Sequence, residues 1–269
     1  MSLDPTADGF EFDRDTRVEK DTDGVFTAAL TDGWTTFTTH PNGGYVLATA
    51  LNALRQSLSQ PDPLVVSAFY LRPAAPGPAE IRTETLREGR RTATGQVALS
   101  QGGKEVVRAT ATYGDLSPGQ GRRLHTQGPP ELPAPQECAH VREFADVGPN
   151  TIGLRVEYRY PERPAFLDGR TDADPHMEFW MRFADGRRAD VHALPAMADF
   201  AVPAVTQIGA YNTVTVELTT HVRARPAPGW LACRAFTRHV DGGFHEEDME
   251  IWDSTGVLVA QARQLAILL

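Results

Sequence analysis

Cysteine is scarce in this chain. Two stand among 269 residues, Cys138 and Cys233, far apart and without CxxC spacing. That excludes a cysteine-only metal site and argues against a disulfide-stapled scaffold; two thiols in a reduced compartment is the simpler reading. Long apolar runs are also missing. None approaches the ~18–20 residues that a membrane-spanning helix needs. Positive charge is in deficit: 26 Lys and Arg face 35 Asp and Glu, a net charge of −9. Neither nucleic acid nor a membrane is therefore an expected partner. The first 23 residues are acidic and lack an apolar h-region, so no secretory signal is expected and the expected location is cytoplasmic. No GxSxG elbow is present for a serine nucleophile, and no phosphate-binding P-loop. Gly119-Gln120-Gly121 stands in a proline-rich stretch and is no dinucleotide fingerprint.

What is present is 41% hydrophobic residues, enough to bury a core. One segment breaks the pattern. Residues 114–137 hold Pro118, Pro129, Pro130, Pro133 and Pro135 and no periodic apolar signal. Proline removes backbone donors and biases its neighbours toward extended structure, so this reads as a linker. The expected division is a module over 1–116, a linker over 117–137 and a second module over 138–269.

Nearly equal halves invite a search for a repeat. An offset of 153 pairs Phe26 with Phe179, Asp32-Gly33 with Asp185-Gly186, Arg72-Pro73 with Arg225-Pro226, Gly89 with Gly242 and Gly103 with Gly256. The glycines are turn formers, because glycine reaches positive φ without a Cβ clash. Turns recurring at one offset predict two copies of one hairpin-rich module.

Each copy reads as strand, helix, then four strands. In the first, a strand over 25–30 precedes a helix over 43–59, whose Val46, Ala50, Leu54 and Leu58 share one face. Strands follow over 64–71, 79–87, 92–101 and 104–113. In the second, a strand over 176–183 precedes a helical stretch around 195–202, and strands follow over 213–223, 230–239, 245–252 and 257–269. Short connections between most successive strands imply antiparallel pairing, and the class is α+β.

This order resembles the hotdog fold in its duplicated form, and is similar to the type II acyl-CoA thioesterases. In the first half the resemblance is carried by Asn42-Gly43-Gly44, Phe69-Tyr70-Leu71-Arg72-Pro73 and the stretch from Glu84 to Arg90. In the second half it is carried by Ala198-Asp199-Phe200, Thr215-Val216-Glu217-Leu218-Thr219 and the stretch from Gly256 to Gln264. It implies a double hotdog, each module a long antiparallel sheet wrapped around a central helix. It also implies hydrolysis of acyl-CoA to free fatty acid and CoA, with no cofactor and no metal. Further pairing into a homodimer or higher homo-oligomer is part of the same expectation.

The family's Asp, Thr and Gln, which hold and activate one water, match Asp199, Thr215 and Gln264. The stretch between Asp199 and Thr215 is shorter than in well-known bacterial members, which leaves Thr213 as the alternative threonine; two residues apart, both share a strand face. At the repeat offset Asp199 pairs with Val46 and Gln264 with Ala111, so one catalytic centre per chain is expected.

The residues also have plainer readings. Asp199 is the only acidic residue between Val191 and Val216. Either it lies on an exposed helix face, or it is buried at a cost that function explains. A strand threonine or glutamine is ordinary on its own. Gly43 and Gly44 open a helix whose free amides suit a developing oxyanion, as the resemblance implies, or they only permit close packing. Arg87, Arg90, Arg91, Arg122 and Arg123 are the cations available for CoA phosphates, or are solvated surface groups. His239 and His245 with Glu246, Glu247 and Asp248 suggest a metal site less simply than a hairpin turning at Asp241-Gly242-Gly243. Asp190 and His192 do not have the spacing of a hotdog hydratase pair. A catalytically silent acyl-CoA or lipid-binding protein on the same fold is the alternative to an enzyme.

Overall fold

The structure is a computed structural model that describes residues 9–36, 40–117, 124, 127–143 and 152–269. The strands, in chain order, are β1 (Glu19–Thr22), β2 (Val25–Leu30), β3 (Asp62–Tyr70), β4 (Gly77–Glu88), β5 (Ala93–Gln101), β6 (Lys104–Gly114) and β7 (Ala139–His140). Then come β8 (Val156–Tyr160), β9 (His176–Phe183), β10 (Thr213–Val222), β11 (Leu231–Phe236), β12 (Val240–Asp241), β13 (Phe244–Trp252) and β14 (Leu258–Leu268). The α-helices are α1 (Glu11–Asp15), α2 (Gly43–Leu54) and α3 (Leu194–Met197).

The strands make one large antiparallel sheet in the order β1-β2-β4-β5-β6-β3-β10-β14-β13-β11-β9-β8-β7, with β12 paired to β13. Its centre is the β3–β10 pair, where Ser67 lies opposite Thr219. Outward from that pair the order on one side is β6-β5-β4-β2, and on the other β14-β13-β11-β9. These are the segments that the offset of 153 equates. The hairpins between them turn on glycine where the backbone demands it: Gly102 and Gly103 have φ of 55° and 73°, and Gly242 and Gly243 have 57° and 83°. Two successive positive φ values match a right-twisted two-residue hairpin and exclude most side chains.

Helix α2 begins where Asn42 Oδ1 accepts the Tyr45 N–H at 3.2 Å, an ordinary N-cap. All of its residues except Gly43 and Asn52 are buried. A helix apolar on nearly every side is enclosed by other elements, and α2 packs on β2, β4, β5, β6 and α3. It ends at Leu54, short of the expected 59. The Gln56 and Ser57 amides bond back to Ala53 and Leu54 in tightened turns that close the helix.

The helix expected around 195–202 is shorter still. After α3 the chain turns through Asp199, runs extended at Pro203 (φ −60°, ψ 136°), and makes a 3-10 turn over Ala204–Ile208. Pro203 disfavours helical backbone at Val202, so no helix runs on through it. The elements α1, β1, β7 and β8 are absent from the sequence-based expectation. In β8, Glu157 looks like a surface residue but is buried between Arg159 at 2.8 Å and Arg182 at 2.6 Å. That charged strand therefore carries no clean apolar signal. No described helix is long and apolar enough to cross a membrane.

Candidate active site

Asp199 stands at the turn after α3, and the turn is held from several sides. Its N–H donates to Ala196 O at 2.9 Å, and the Asn42 side chain donates to its carbonyl at 3.1 Å. The next carbonyl, of Phe200, accepts the Tyr158 O–H at 2.7 Å. The Phe200 ring packs on Trp34, with centroids 5.8 Å apart, and Trp34 stacks on Tyr45 of α2 at 5.6 Å. Aromatic packing between the halves thus fixes the backbone beside Asp199.

The carboxylate points at the start of α2. The Gly44 N–H donates to Asp199 Oδ2 at 2.6 Å, a short charge-assisted bond at a helix N-terminus, where the dipole favours an anion. Both glycines are needed for this approach. A Cβ on Gly44 would lie 2.5 Å from Ala196 O and 2.9 Å from Asp199 Cβ. A Cβ on Gly43 would lie 3.0 Å from Asp199 Oδ2 and 2.8 Å from the Tyr70 ring. So α2 opens with glycines to admit α3, and the Gly44 amide is already engaged by Asp199. Gly43, the first helical residue, keeps an amide with no carbonyl partner inside the helix.

Thr215 and Gln264 meet on neighbouring strands. The Thr215 hydroxyl donates to Gln264 Oε1 at 2.8 Å, and Gln264 Nε2 donates to Glu247 Oε1 at 3.0 Å. A bulge makes the first bond possible. In β10, Leu218, Thr220 and Val222 face inward, yet the register slips between Thr215 and Glu217, leaving Val216 extra. An extra residue inverts the alternation. Thr213 and Thr215 therefore face the same side as Gln264 and Ala266. Thr213 takes a different partner, His245 Nε2 at 2.8 Å.

Glu247 joins the two groups of residues. Its Oε2 accepts the Ala204 N–H at 2.5 Å, in the segment that follows Asp199, while its Oε1 holds Gln264. No hydrogen bond among the described residues links Asp199 directly to Thr215 or Gln264. The connection runs through Glu247 and through the packing of α3 on β10 and β14.

Burial dominates the electrostatics. It raises the Asp199 carboxyl to about 7, with the Gly44 N–H and the Asn42 amide pulling the other way. Burial raises Glu247 to about 8, aided by the Asp199 charge and opposed by the Ala204 and Gln264 donors. Desolvation penalises the charged form of each. A carboxyl near 7 is poised to exchange a proton at neutral pH. Asp199 still keeps part of its surface open, as do Tyr70 and Thr215.

In the sequence, neither of two further residues of this region suggested catalysis, Glu247 standing only in a candidate metal group. Glu247 occupies an inward position of β13 in the series His245, Glu247, Met249, Ile251, and a carboxylate on the buried face of a strand was the available signal. Tyr70 closes over Gly43 from the end of β3, and only contact across the sheet shows it. Arg87, Arg90 and Arg91 are exposed at the end of β4 and its turn; Arg122 and Arg123 lie outside the described residues. A separate cavity of about 280 Å³ is bordered by Arg17, Arg55, Arg187 and His192.

Comparison with known proteins agrees with this architecture. Residues 30–114 match the model for the acyl-CoA thioesterase N-terminal domain, and residues 129–268 that for the acyl-CoA thioesterase C-terminal domain. An uncharacterized protein of Mycobacterium tuberculosis is 28% identical over 90% of both chains. A candidate thioesterase II from Thermobifida fusca superposes with a TM-score of 0.87 at 30% identity, covering 96% of this chain and 97% of that one. A hot dog fold protein of unknown function from Alicyclobacillus acidocaldarius superposes with a TM-score of 0.84 at 24% identity, covering 96% and 97%. With both of its halves matched in order, the chain belongs to the type II acyl-CoA thioesterase family and shares its hotdog fold.

Proposed function

We propose that this protein hydrolyses acyl-CoA thioesters to a free fatty acid and CoA, using a water held by Asp199, Thr215 and Gln264. The observation that carries the reading is the Asp199 carboxylate, turned to the start of α2 by the Gly44 amide and raised by burial to about 7.

The steps follow from the donors and acceptors present. With Oδ2 bound to Gly44, Oδ1 of Asp199 remains to take a proton from water. Glu247 fixes the Gln264 amide so that its Oε1 faces Thr215 and one N–H is left over. The Thr215 proton is used on Gln264, so its oxygen accepts the other water hydrogen while Gln264 donates to the water oxygen. The water oxygen bonds to the thioester carbon as its proton passes to Asp199, and the carbonyl π electrons move onto oxygen. The tetrahedral intermediate then collapses, the C–S bond breaks, and the thiolate of CoA leaves with the proton from Asp199. The start of α2 stabilises the oxyanion between these steps.

The same reading takes the chain as a duplicated hotdog, with α2 as the central helix of the first module and the segment from α3 to Ile208 as its broken counterpart. The order of strands outward from the β3–β10 pair supports it, as do separate matches to N- and C-terminal domains. The modules are assigned to 1–116 and 138–269, with the linker between. One centre then lies where they meet: the second contributes Asp199, Thr215 and Gln264, the first the glycines of α2.

A thiol-release assay across acyl-CoA chain lengths tests the activity. Release of CoA from one or more chain lengths is expected. Binding of acyl-CoA without release would favour the silent binding protein instead.

A further inference from the structure

Tyr70 presents a difficulty that the proposed hydrolysis leaves open. Its hydroxyl is buried and has no hydrogen-bond partner among the described residues. Leaving a buried hydroxyl unpaired is unfavourable, and a phenylalanine would fill the same space without that penalty. The ring lies directly at the helix start: the point where a Gly43 Cβ would stand is 3.1 Å from Tyr70 Cζ and 3.0 Å from Asp199 Oδ2. Ring and carboxylate are thus no more than about 6 Å apart. The charged groups that face the phenol are Asp199 and Glu217.

A thioester oxyanion needs donors aimed at it. Backbone amides at the start of α2 are the natural source, but the Gly44 amide is held by Asp199. One backbone donor, at Gly43, remains. We propose that the Tyr70 hydroxyl is the second donor, bonding the thioester carbonyl oxygen of the substrate beside the Gly43 amide. The inference rests on the hydrolase reading and adds a catalytic residue to it. Burial, and after it the neighbouring carboxylates, hold the phenol well above its ordinary pKa. It therefore stays protonated, as a donor must. The proton is shared with the oxyanion and not transferred; it stays on Tyr70 when the intermediate collapses.

Tyr70→Phe tests this in the full-length chain. The variant should fold with a thermal midpoint equal to or above wild type, because it removes an unpaired polar atom. Its kcat should fall by about 100-fold, the scale of losing one oxyanion donor, with KM within about 3-fold. Two unreactive ligands separate donor from scaffold: a CoA analogue with a ketone in place of the thioester, and an S-alkyl-CoA thioether lacking the carbonyl. Wild type should prefer the ketone by about 10-fold, and Tyr70→Phe should lose that preference. A variant that keeps wild-type kcat, or keeps the ketone preference, overturns the assignment. A wild-type chain that binds both analogues but cleaves no thioester overturns the hydrolase reading instead, and Tyr70 is then judged by the ketone preference alone. If wild type binds neither, both are wrong.

Discussion

The Gly44 amide donates to Asp199 Oδ2 at 2.6 Å, joining a helix start in the first half of the chain to a carboxylate in the second. The bond orients one carboxylate oxygen and leaves the other for the proposed proton transfer. It also explains why α2 begins with two glycines.

Gly44→Ala should break that contact. Its methyl would meet Ala196 O at 2.5 Å, and a backbone carbonyl cannot swing aside as a side-chain tip can. A loss of about 1–3 kcal/mol is expected from overpacking, together with most of the turnover. Chemical denaturation with a parallel activity assay checks it; a variant as stable and active as wild type would show that the approach of α3 to α2 is wrong.

Asp199→Asn should become more stable relative to wild type as the pH rises. The folded carboxyl titrates near 7, well above its ordinary 3.8, so the native state binds the extra proton between those values. Wild type is then most favoured below about pH 4 and loses that stability as pH climbs through 7. Asparagine carries no charge to bury and still offers Gly44 an acceptor. The gap in thermal midpoint should open between pH 4 and 7, in favour of the variant, and stay constant above. Melting curves across that range decide it, and a gap that does not change with pH contradicts the burial of a titrating Asp199.

Thr215→Val should reduce kcat at least about 10-fold, because it removes the hydroxyl bonded to Gln264. Thr213→Val removes only the contact to His245 and should stay within about 3-fold of wild type. Steady-state kinetics of the two variants assign the threonine. The reverse ranking would move the site two residues along β10.

Much of this was legible in the sequence for a physical reason. Strand alternation, the helical face of Val46, Ala50 and Leu54, and the paired turn glycines are local signals, and they produced the elements that pack the core. Asp199 stood out because an acid amid apolar residues is costly. Other features depend on contacts between distant segments. The bulge at Val216 that brings Thr215 to Gln264 leaves no mark in residue type. The Gly44 bond to Asp199 requires the halves to meet, and so does the closure of Tyr70 over Gly43. Pro203 marks only the outer limit of the helical stretch in the sequence; the earlier end at Met197 and the turn at Asp199 accompany its docking against α2.

Turnover of Asp199→Asn reports whether Asp199 is the base of a thioester hydrolase. Thiol release from acyl-CoA should be measured for wild type and the folded variant between pH 5 and 9. Wild-type kcat/KM should rise with pH through about 7 and level off, and the variant should lack that rise and stay at least about 100-fold below the wild-type plateau, the scale of a lost general base. A folded Asp199→Asn that turns over like wild type, with the same pH profile, would contradict that role.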